Sequence, residues 1–249
     1  MVDRAAKPLA GKVALVTGGA KRLGRASALA LAPAGADVAI TFLKSAGDAV
    51  KTVSAVKKAG VRAIAVRCDV TDPKSVAAAS KEVVRKLGGL DILINNAGKY
   101  ETVSFDDLKL EQWDAMFATN VRGPFLVSQE ALPHLQKRGG RIINLGSLGG
   151  LRPWASNAHY CSSKAALHML TRVMAKALAP EIAVNCVAPG MIDLGEEESA
   201  AAFRKRMAKQ TPMQRNGKGE EVAAAVLFFA TAPRFITGQV LFVDGGLGL

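Results

Sequence analysis

Short apolar segments alternate with longer amphipathic segments along most of this chain. The short segments have the length and continuous apolarity of strands that are buried on both faces. We predict seven such strands, at residues 12–17, 37–42, 62–67, 90–95, 140–146, 181–187 and 239–243. The longer segments between them predict helices at residues 22–34, 46–59, 72–87, 110–136, 158–179 and 217–230. This alternation predicts an α/β fold, with a seven-stranded parallel sheet, right-handed crossovers and helices on both faces. The length fits a single domain over residues 1–249.

One segment breaks the alternation. Residues 189–214 form the longest connection between a strand and the next helix, and they contain Gly195, three glutamates and then a basic amphipathic stretch. In an open α/β sheet, ligands bind beyond the carboxyl ends of the strands, where this connection begins. We interpret residues 189–214 as a substrate lid. The alternative is a surface excursion that serves packing or assembly.

Composition narrows the class of protein. No apolar stretch reaches the length of about 18 residues that a membrane-spanning helix needs, and the first residues lack the apolar core of a signal peptide. The three cysteines stand at unrelated spacings, and His134, His159 and His168 lack ligand-like spacing. We therefore expect a cytoplasmic protein without a disulfide framework, a metal site or a membrane contact.

The formal net charge of +12 has two interpretations. It attracts an acidic partner, such as nucleic acid, an acyl carrier protein or a phosphorylated cofactor, or it is the solvated surface of a basic protein. The basic residues are spread along the chain, without a dense run or interleaved aromatic residues. We therefore predict no nucleic-acid partner.

A glycine-rich turn follows the first predicted strand. It reads G-G-A-K-R-L-G from Gly18 to Gly24 and leads into a helix. Glycines allow the backbone to approach a pyrophosphate, and the helix N-terminus favours its negative charge. Arg22 adds a guanidinium suited to phosphate. The alternative for this segment alone is a tight turn without a ligand.

The end of the second strand indicates which dinucleotide binds. Enzymes that use NAD usually place an acidic residue there to bond the ribose 2′-hydroxyl. Here no acid lies between Asp37 and Asp48, and Lys44 and Ser45 offer a cation and a hydroxyl instead. These groups favour the 2′-phosphate of NADP(H). The alternative for Lys44 is a solvated loop lysine.

Four polar residues form a candidate catalytic set. Tyr160 and Lys164 are four residues apart, which places both on one face of a helix. Ser147 ends the fifth strand, and Asn120 lies in the long preceding helix. A phenol with its ordinary pKa near 10 holds its proton at neutral pH, and a nearby ammonium lowers that pKa. The set is suited to proton transfer to or from an oxygen.

Together these motifs resemble those of the short-chain dehydrogenase/reductase family. Residues 17–24 match the family's T-G-x-x-x-G-x-G, except that Arg22 replaces the middle glycine, as in pteridine reductases. Residues 95–98 match N-N-A-G, and residues 189–190 match the family's P-G. The resemblance covers residues 11–246. It implies a Rossmann fold and hydride transfer between NADP(H) and a C=O or CH–OH group.

The resemblance also implies a role for each catalytic candidate. Tyr160 is the acid/base, and Lys164 lowers the pKa of Tyr160 and bonds the nicotinamide ribose. Ser147 polarises and orients the substrate carbonyl. Asn120 holds a water that relays protons to Lys164, or it simply braces the helix backbone. The family is usually tetrameric, so we expect a homotetramer.

Cofactor contacts are implied on both halves of the dinucleotide. Asp69 is expected to bond the adenine amino group; the alternative is an N-cap for the helix that begins near Asp72, for which Thr71 is better placed. The threonine that usually follows the P-G pair is replaced by D-L-G at residues 193–195. The expected cofactor-binding residues are Gly18, Arg22, Leu23, Gly24, Lys44, Ser45, Asp69, Val70, Asn96, Ala97, Gly98, Tyr160, Lys164, Pro189, Gly190 and Ile192.

The substrate is less well indicated. Ser147 resembles the serine of 3-oxoacyl-acyl-carrier-protein reductases, whereas Arg22, Lys44 and Ser45 resemble pteridine and dihydromonapterin reductases. Those pterin enzymes commonly carry Asp in place of Ser147, so we expect a ketone, with a 3-oxoacyl thioester as the leading example. Trp154 lies in the loop that is expected to line the pocket. A non-catalytic NADP-binding sensor is the alternative from another class.

Overall fold

The computed structural model describes residues 7–195 and 201–249. Within these ranges, seven parallel strands form one sheet in the order β3-β2-β1-β4-β5-β6-β9, and β7 and β8 form a separate parallel pair. This result confirms the predicted seven-stranded sheet. The strands are β1 (Val13–Val16), β2 (Asp37–Phe42), β3 (Ala63–Arg67), β4 (Ile92–Asn95), β5 (Arg141–Leu145), β6 (Ala183–Pro189), β7 (Ile192–Asp193), β8 (Gly217–Lys218) and β9 (Val240–Val243).

Five of the six predicted helices are present, with ends that differ by a few residues, and the predicted helix over residues 110–136 is divided in two. The helices are α1 (Arg22–Leu31), α2 (Ala46–Lys57), α3 (Pro73–Leu87), α4 (Leu110–Phe117), α5 (Gly123–Arg138), α6 (Ala158–Ala177), α7 (Ala201–Gln210) and α8 (Gly219–Thr231). The short α7 forms from the basic amphipathic stretch of the segment 189–214.

The prediction of one continuous helix over residues 110–136 was wrong. A π-helical turn, Ala118–Arg122, separates α4 from α5. Pro124 at the start of α5 has no backbone N–H and so cannot continue the regular hydrogen bonding of the preceding turn. The wider turn contains Asn120, which is consistent with the frequent use of π turns at functional positions.

Both faces of the sheet are covered, as predicted. One apolar cluster joins the sheet to α1, α2 and α8, and the other joins it to α3, α5 and α6. Because the strands are buried on both sides, they are nearly uniform in Val, Ile, Leu and Ala. Among the described residues, no helix is both long and apolar enough to cross a membrane. The same residues contain no group of three or more His, Cys, Asp or Glu side chains that could hold a metal ion.

Buried amide side chains connect the middle of the sheet to its helices. Asn95 at the end of β4 donates to Asn144 of β5 at 2.9 Å and to Ser128 of α5 at 3.0 Å. Asn144 donates in turn to Thr171 of α6 at 2.9 Å. All four side chains are buried. The chain of hydrogen bonds fixes α6 relative to the carboxyl ends of the central strands.

Candidate active site

A cavity of about 1320 Å³ lies at the carboxyl ends of the central strands. It spans the point between β1 and β4 where the strand order reverses, which is the usual place for ligands in this type of sheet. The turns after β1, β4, β5 and β6 line it, together with parts of α7 and Leu247 near the end of the chain. Most of the residues predicted from the sequence therefore meet in one cavity.

The glycine-rich turn packs closely against the N-N-A-G segment. A Cβ at Gly24 would stand 2.5 Å from both Asn96 Nδ2 and the Gly18 carbonyl oxygen, and one at Gly18 would stand 3.0 Å from Ala97 Cα. Gly18 also has a left-handed φ of +61°. Only glycine fits these positions, so the turn leaves open backbone facing the cavity beside Leu23.

Hydrogen bonds hold this turn against β4. Asn96 Nδ2 donates to the carbonyl oxygens of Thr17 at 2.8 Å and Gly18 at 3.1 Å. Thr17 Oγ1 accepts from the backbone N–H groups of Asn96 and Ala97, both at 3.0 Å. The Asn96 amide thus fastens the phosphate-binding turn, and Ala97 and Gly98 line the cavity beside it.

Arg22 begins α1 with a left-handed φ of +51°. This conformation is natural for glycine, and a side chain with a Cβ adopts it at a cost of about 1–2 kcal/mol. The family pattern has glycine at this position, which agrees with the backbone found here. The Arg22 side chain lines the cavity, as does that of Lys21, which pairs with Asp48 at 3.0 Å.

Lys44 and Ser45 lie just beyond the cavity wall. Leu43 lines the cavity, whereas Lys44 is exposed and Ser45 is the N-cap residue of α2. In the described structure, the Ser45 hydroxyl makes no capping hydrogen bond to that helix. Both side chains are therefore placed at the rim, at the end of β2.

Asp69 lines the cavity beside Val70, but it does not cap a helix. Its carboxylate accepts from Thr71 N at 2.9 Å and from Thr71 Oγ1 at 2.7 Å, and these bonds hold the pKa of Asp69 below its usual value. The N-cap of α3 is Asp72, whose side chain accepts from Lys74 N. The N-cap interpretations of Asp69 and Thr71 were therefore wrong, because the helix starts one residue later.

Ser147 and Tyr160 face each other in the cavity. Ser147 Oγ accepts from Gly149 N at 3.1 Å, at the start of a short 3₁₀ turn, Leu148–Gly150. A hydrogen bond with Ser147 lowers the pKa of Tyr160, but burial outweighs it and raises this pKa to about 12. The expected net lowering was wrong, because desolvation of the phenolate is the larger effect.

Lys164 lies beside Tyr160 and bonds the backbone. Its Nζ donates to the Leu145 carbonyl oxygen at 2.7 Å and stands 5.9 Å from the centre of the Tyr160 ring. Burial lowers the pKa of Lys164 to about 8. The ammonium is therefore held at the end of β5, close to the phenol and facing the same cavity.

Asn120 braces the loop that follows β4. Its Oδ1 accepts from Lys99 N at 2.8 Å, and its Nδ2 donates to the Lys99 carbonyl oxygen and to Ser163 Oγ, both at 3.0 Å. These contacts favour the bracing interpretation of Asn120. A Cβ at Gly98 would stand 3.4 Å from Asn120 Oδ1 and 3.8 Å from Lys164 Nζ, so the three residues are immediate neighbours.

Pro189, Gly190 and Ile192 line the opposite wall of the cavity. Gly190 N donates to the Val243 carbonyl oxygen at 3.0 Å, and a Cβ at Gly190 would stand 2.6 Å from Asp244 Cβ. Gly190 therefore packs directly against the end of β9, and the backbone of residues 189–192 lies next to the cavity.

The segment 189–214 reaches the cavity on both sides of its undescribed part. Leu194 lies on one side, and Phe203, Arg206 and Met207 of α7 lie on the other. Residues 196–200, which contain the three glutamates, lie outside the described residues.

Aromatic side chains flank Tyr160. The Trp154 ring lies parallel to that of Tyr160 with 6.5 Å between the ring centres, and the Tyr100 ring meets it edge-on at 4.9 Å. Both line the cavity, as does Leu247, whose carbonyl oxygen accepts from Arg152. Sequence reasoning missed Tyr100, Arg152 and Leu247. The position of Tyr100 just after N-N-A-G was a usable signal for it, whereas only the folded chain brings Leu247 here.

Comparisons with known proteins agree with this arrangement. A family model described as enoyl-(acyl carrier protein) reductase matches residues 18–248. The chain is 38% identical over 240 residues to the 3-oxoacyl-acyl-carrier-protein reductase FabG of Staphylococcus aureus, covering 95% of this chain and 98% of that protein. A short-chain dehydrogenase/reductase from Serratia marcescens is 40% identical, with a TM-score of 0.92 and coverage of 97% and 100%. A short-chain dehydrogenase from Burkholderia cenocepacia, solved in complex with NADP, is 43% identical, with a TM-score of 0.91 and the same coverage.

The close packing at Gly24 makes a direct prediction. Gly24→Ala forces the glycine-rich turn away from the N-N-A-G segment, and we expect it to weaken binding of the nicotinamide dinucleotide by about tenfold, the equivalent of about 1.4 kcal/mol. Calorimetric titration measures the effect. Gly47→Ala is the matched control, because a Cβ at Gly47 meets nothing within 4 Å and should leave the affinity unchanged. Equal affinities for the two variants would contradict the prediction.

Proposed function

The chain belongs to the short-chain dehydrogenase/reductase family, and on that premise we propose that it is an NADPH-dependent carbonyl reductase. Its membership makes it an NAD(P)-dependent oxidoreductase. One observation carries the proposal of carbonyl reduction: Ser147, Tyr160 and Lys164 line the same cavity as the glycine-rich turn.

The glycine-rich turn and its surroundings fit a dinucleotide. A Cβ would fill the space at Gly18 and Gly24, and the N-terminus of α1 faces the same cavity. When bound, the cofactor supplies the hydride that reduces the carbonyl carbon. Asp69 and Val70 would flank its adenine, and Gly190 with its neighbours would flank its nicotinamide.

The protein's own side chains supply the proton. Because its pKa is raised to about 12, Tyr160 is protonated at neutral pH and donates to the carbonyl oxygen as negative charge develops there. Ser147 bonds the same oxygen and orients it. Lys164 then stabilises the tyrosinate that remains, since its ammonium lies 5.9 Å from the ring centre. Asn120 keeps the wall of the site in place through Lys99 and Ser163.

NADPH is the preferred cofactor in this proposal. Arg22 in the cavity, with Lys44 and Ser45 at its rim, provides two cations and a hydroxyl for phosphate groups. No acidic residue follows β2 until Asp48, which already pairs with Lys21. The Burkholderia cenocepacia protein that was solved with NADP supports the same choice.

The substrate is a ketone with an apolar or acyl body. Several of the side chains that line the cavity with Tyr160 are aromatic or aliphatic, among them Tyr100, Leu148, Trp154, Met191 and Leu247. A 3-oxoacyl thioester fits these walls, and the FabG of Staphylococcus aureus is named for that reaction. We also propose that residues 189–214 act as the substrate lid within a single domain over residues 1–249.

The proposed assembly is a homotetramer built on the long helices. Phe125 of α5 and Met169 and Val173 of α6 expose apolar side chains to solvent in the single chain. Such a patch is typical of a subunit interface. The cytoplasmic location stays a prediction.

Removal of the Tyr160 hydroxyl tests the chemistry. We expect Tyr160→Phe to lower kcat for ketone reduction by about a thousandfold, within the range of general acid catalysis, because the acid that protonates the carbonyl oxygen is then missing. NADPH binding should stay nearly unchanged, since the phenylalanine ring fills the same space. Steady-state kinetics and an NADPH titration measure the two effects. Substantial remaining turnover would refute the assignment of Tyr160.

A charge reversal tests the choice of cofactor. Lys44→Glu places a carboxylate beside the expected 2′-phosphate, so we expect NADPH affinity to fall by about tenfold while NADH affinity is kept or improved. Lys51→Glu, on the exposed face of α2, is the control with the same change in net charge. Equal loss in both variants, or wild-type protein that binds NADH as tightly as NADPH, would overturn the choice.

A substrate panel separates the candidate reactions. NADPH absorbance is followed with acetoacetyl thioesters, diketones, quinones and dihydropterins. We expect turnover with acetoacetyl thioesters or diketones, because the walls are apolar and Ser147 stands where pteridine reductases commonly have Asp. Turnover of dihydropterins alone would favour a pteridine reductase, and NADPH binding without any turnover would favour a sensor.

A further inference from the structure

We propose that His168 is a positioning residue for Ser147. Its ring fills the space behind the backbone of Ser147 and accepts a hydrogen bond from the Ser147 N–H. The inference rests on the proposed function, because Ser147 orients the substrate carbonyl in that function. His168 lies on α6, one turn beyond Lys164 and two turns beyond Tyr160. The same face of one helix thus supplies the acid, the cation and the support for the serine.

The His168 ring occupies the space that two glycines leave. A Cβ at Gly146 would stand 2.4 Å from His168 Nε2, and one at Gly150 would stand 2.6 Å from His168 Cε1. These glycines flank the segment that carries Ser147. Both positions need glycine because the His168 imidazole occupies the space that a Cβ would take.

Other side chains confine the ring. Phe242 of β9 meets it edge-on with 6.0 Å between ring centres, and Cys186 Sγ of β6 would stand 2.6 Å from a Cβ at Gly146. The His168 residue is only 8% exposed. Four elements thus close around the imidazole, so a shift of its ring must shift the serine segment as well.

The hydrogen bond to Ser147 needs an uncharged ring. Ser147 N donates to His168 Nε2 at 3.5 Å, so Nε2 must carry no proton and Nδ1 must carry one. Burial, followed by the cations of Lys164 and Arg172, lowers the pKa of His168 to about 4. The imidazole is therefore neutral under ordinary conditions and remains an acceptor. The Ser147 hydroxyl, which accepts from Gly149 N, is left pointing to the cavity.

A double-mutant cycle tests whether His168 acts through Ser147. We expect His168→Leu to lower kcat for NADPH-dependent ketone reduction by about tenfold, because the serine loses its fixed position, while NADPH affinity changes little. In the Ser147→Ala background the same substitution should cause no further loss. A tenfold loss in both backgrounds, or no loss in the wild-type background, would overturn the proposal. His134→Leu, on α5 away from the cavity, is the control with unchanged kcat.

A spectroscopic measurement tests the hydrogen bond without relying on any variant's activity. The protein has three histidines, so ¹⁵N-histidine NMR of the wild-type protein resolves each ring, and single His→Gln variants assign them. We expect His168 to be neutral at pH 7, with its proton on Nδ1. A proton on Nε2 would exclude the bond to Ser147 N and overturn the proposal. Failure of the proposed function looks different: NADPH would not be oxidised with any carbonyl compound, while the state of His168 would still be measured.

Discussion

The buried hydrogen bonds from Asn95 through Asn144 to Thr171 are the constraint on which the site depends. They join two central strands to α6, and α6 carries Tyr160 and Lys164. A buried amide N–H that lost its partner would cost about 1–3 kcal/mol, so the donated bonds of Asn95 and Asn144 hold this arrangement. The pairing allows one arrangement of helix against sheet, and it thereby fixes the distance from the catalytic residues to the end of β5.

Burial then decides the protonation states at this end of the sheet. It raises the pKa of the Tyr160 phenol and lowers those of the Lys164 ammonium and the His168 imidazole, so each group is moved toward its neutral form. A neutral phenol is a proton donor, and a neutral imidazole is an acceptor. In carbonyl reduction, the protonated Tyr160 can therefore donate its proton directly. Oxidation of an alcohol would first require Tyr160 to lose this proton.

The nucleotide half of the site could be predicted because its signals are local. The turn from Gly18 to Gly24 and the N-N-A-G segment are each a few residues long, and Gly18 and Gly24 are required by close contacts between them. The substrate half could not be predicted in the same way. Leu247 reaches the cavity only after β9 has joined the sheet, and the shift of the Tyr160 pKa follows from burial, which the spacing of Tyr160 and Lys164 does not reveal.

The left-handed backbone at Arg22 lowers the stability of the fold, whereas the Arg22 side chain, in the proposed function, serves cofactor binding. Glycine at this position would relax the turn, yet it would remove the guanidinium that we assign to the cofactor phosphates. On that assignment, replacing Arg22 by glycine would ease the backbone and weaken binding of the nicotinamide dinucleotide. Engineering for stability should therefore keep this arginine and change other positions in the chain.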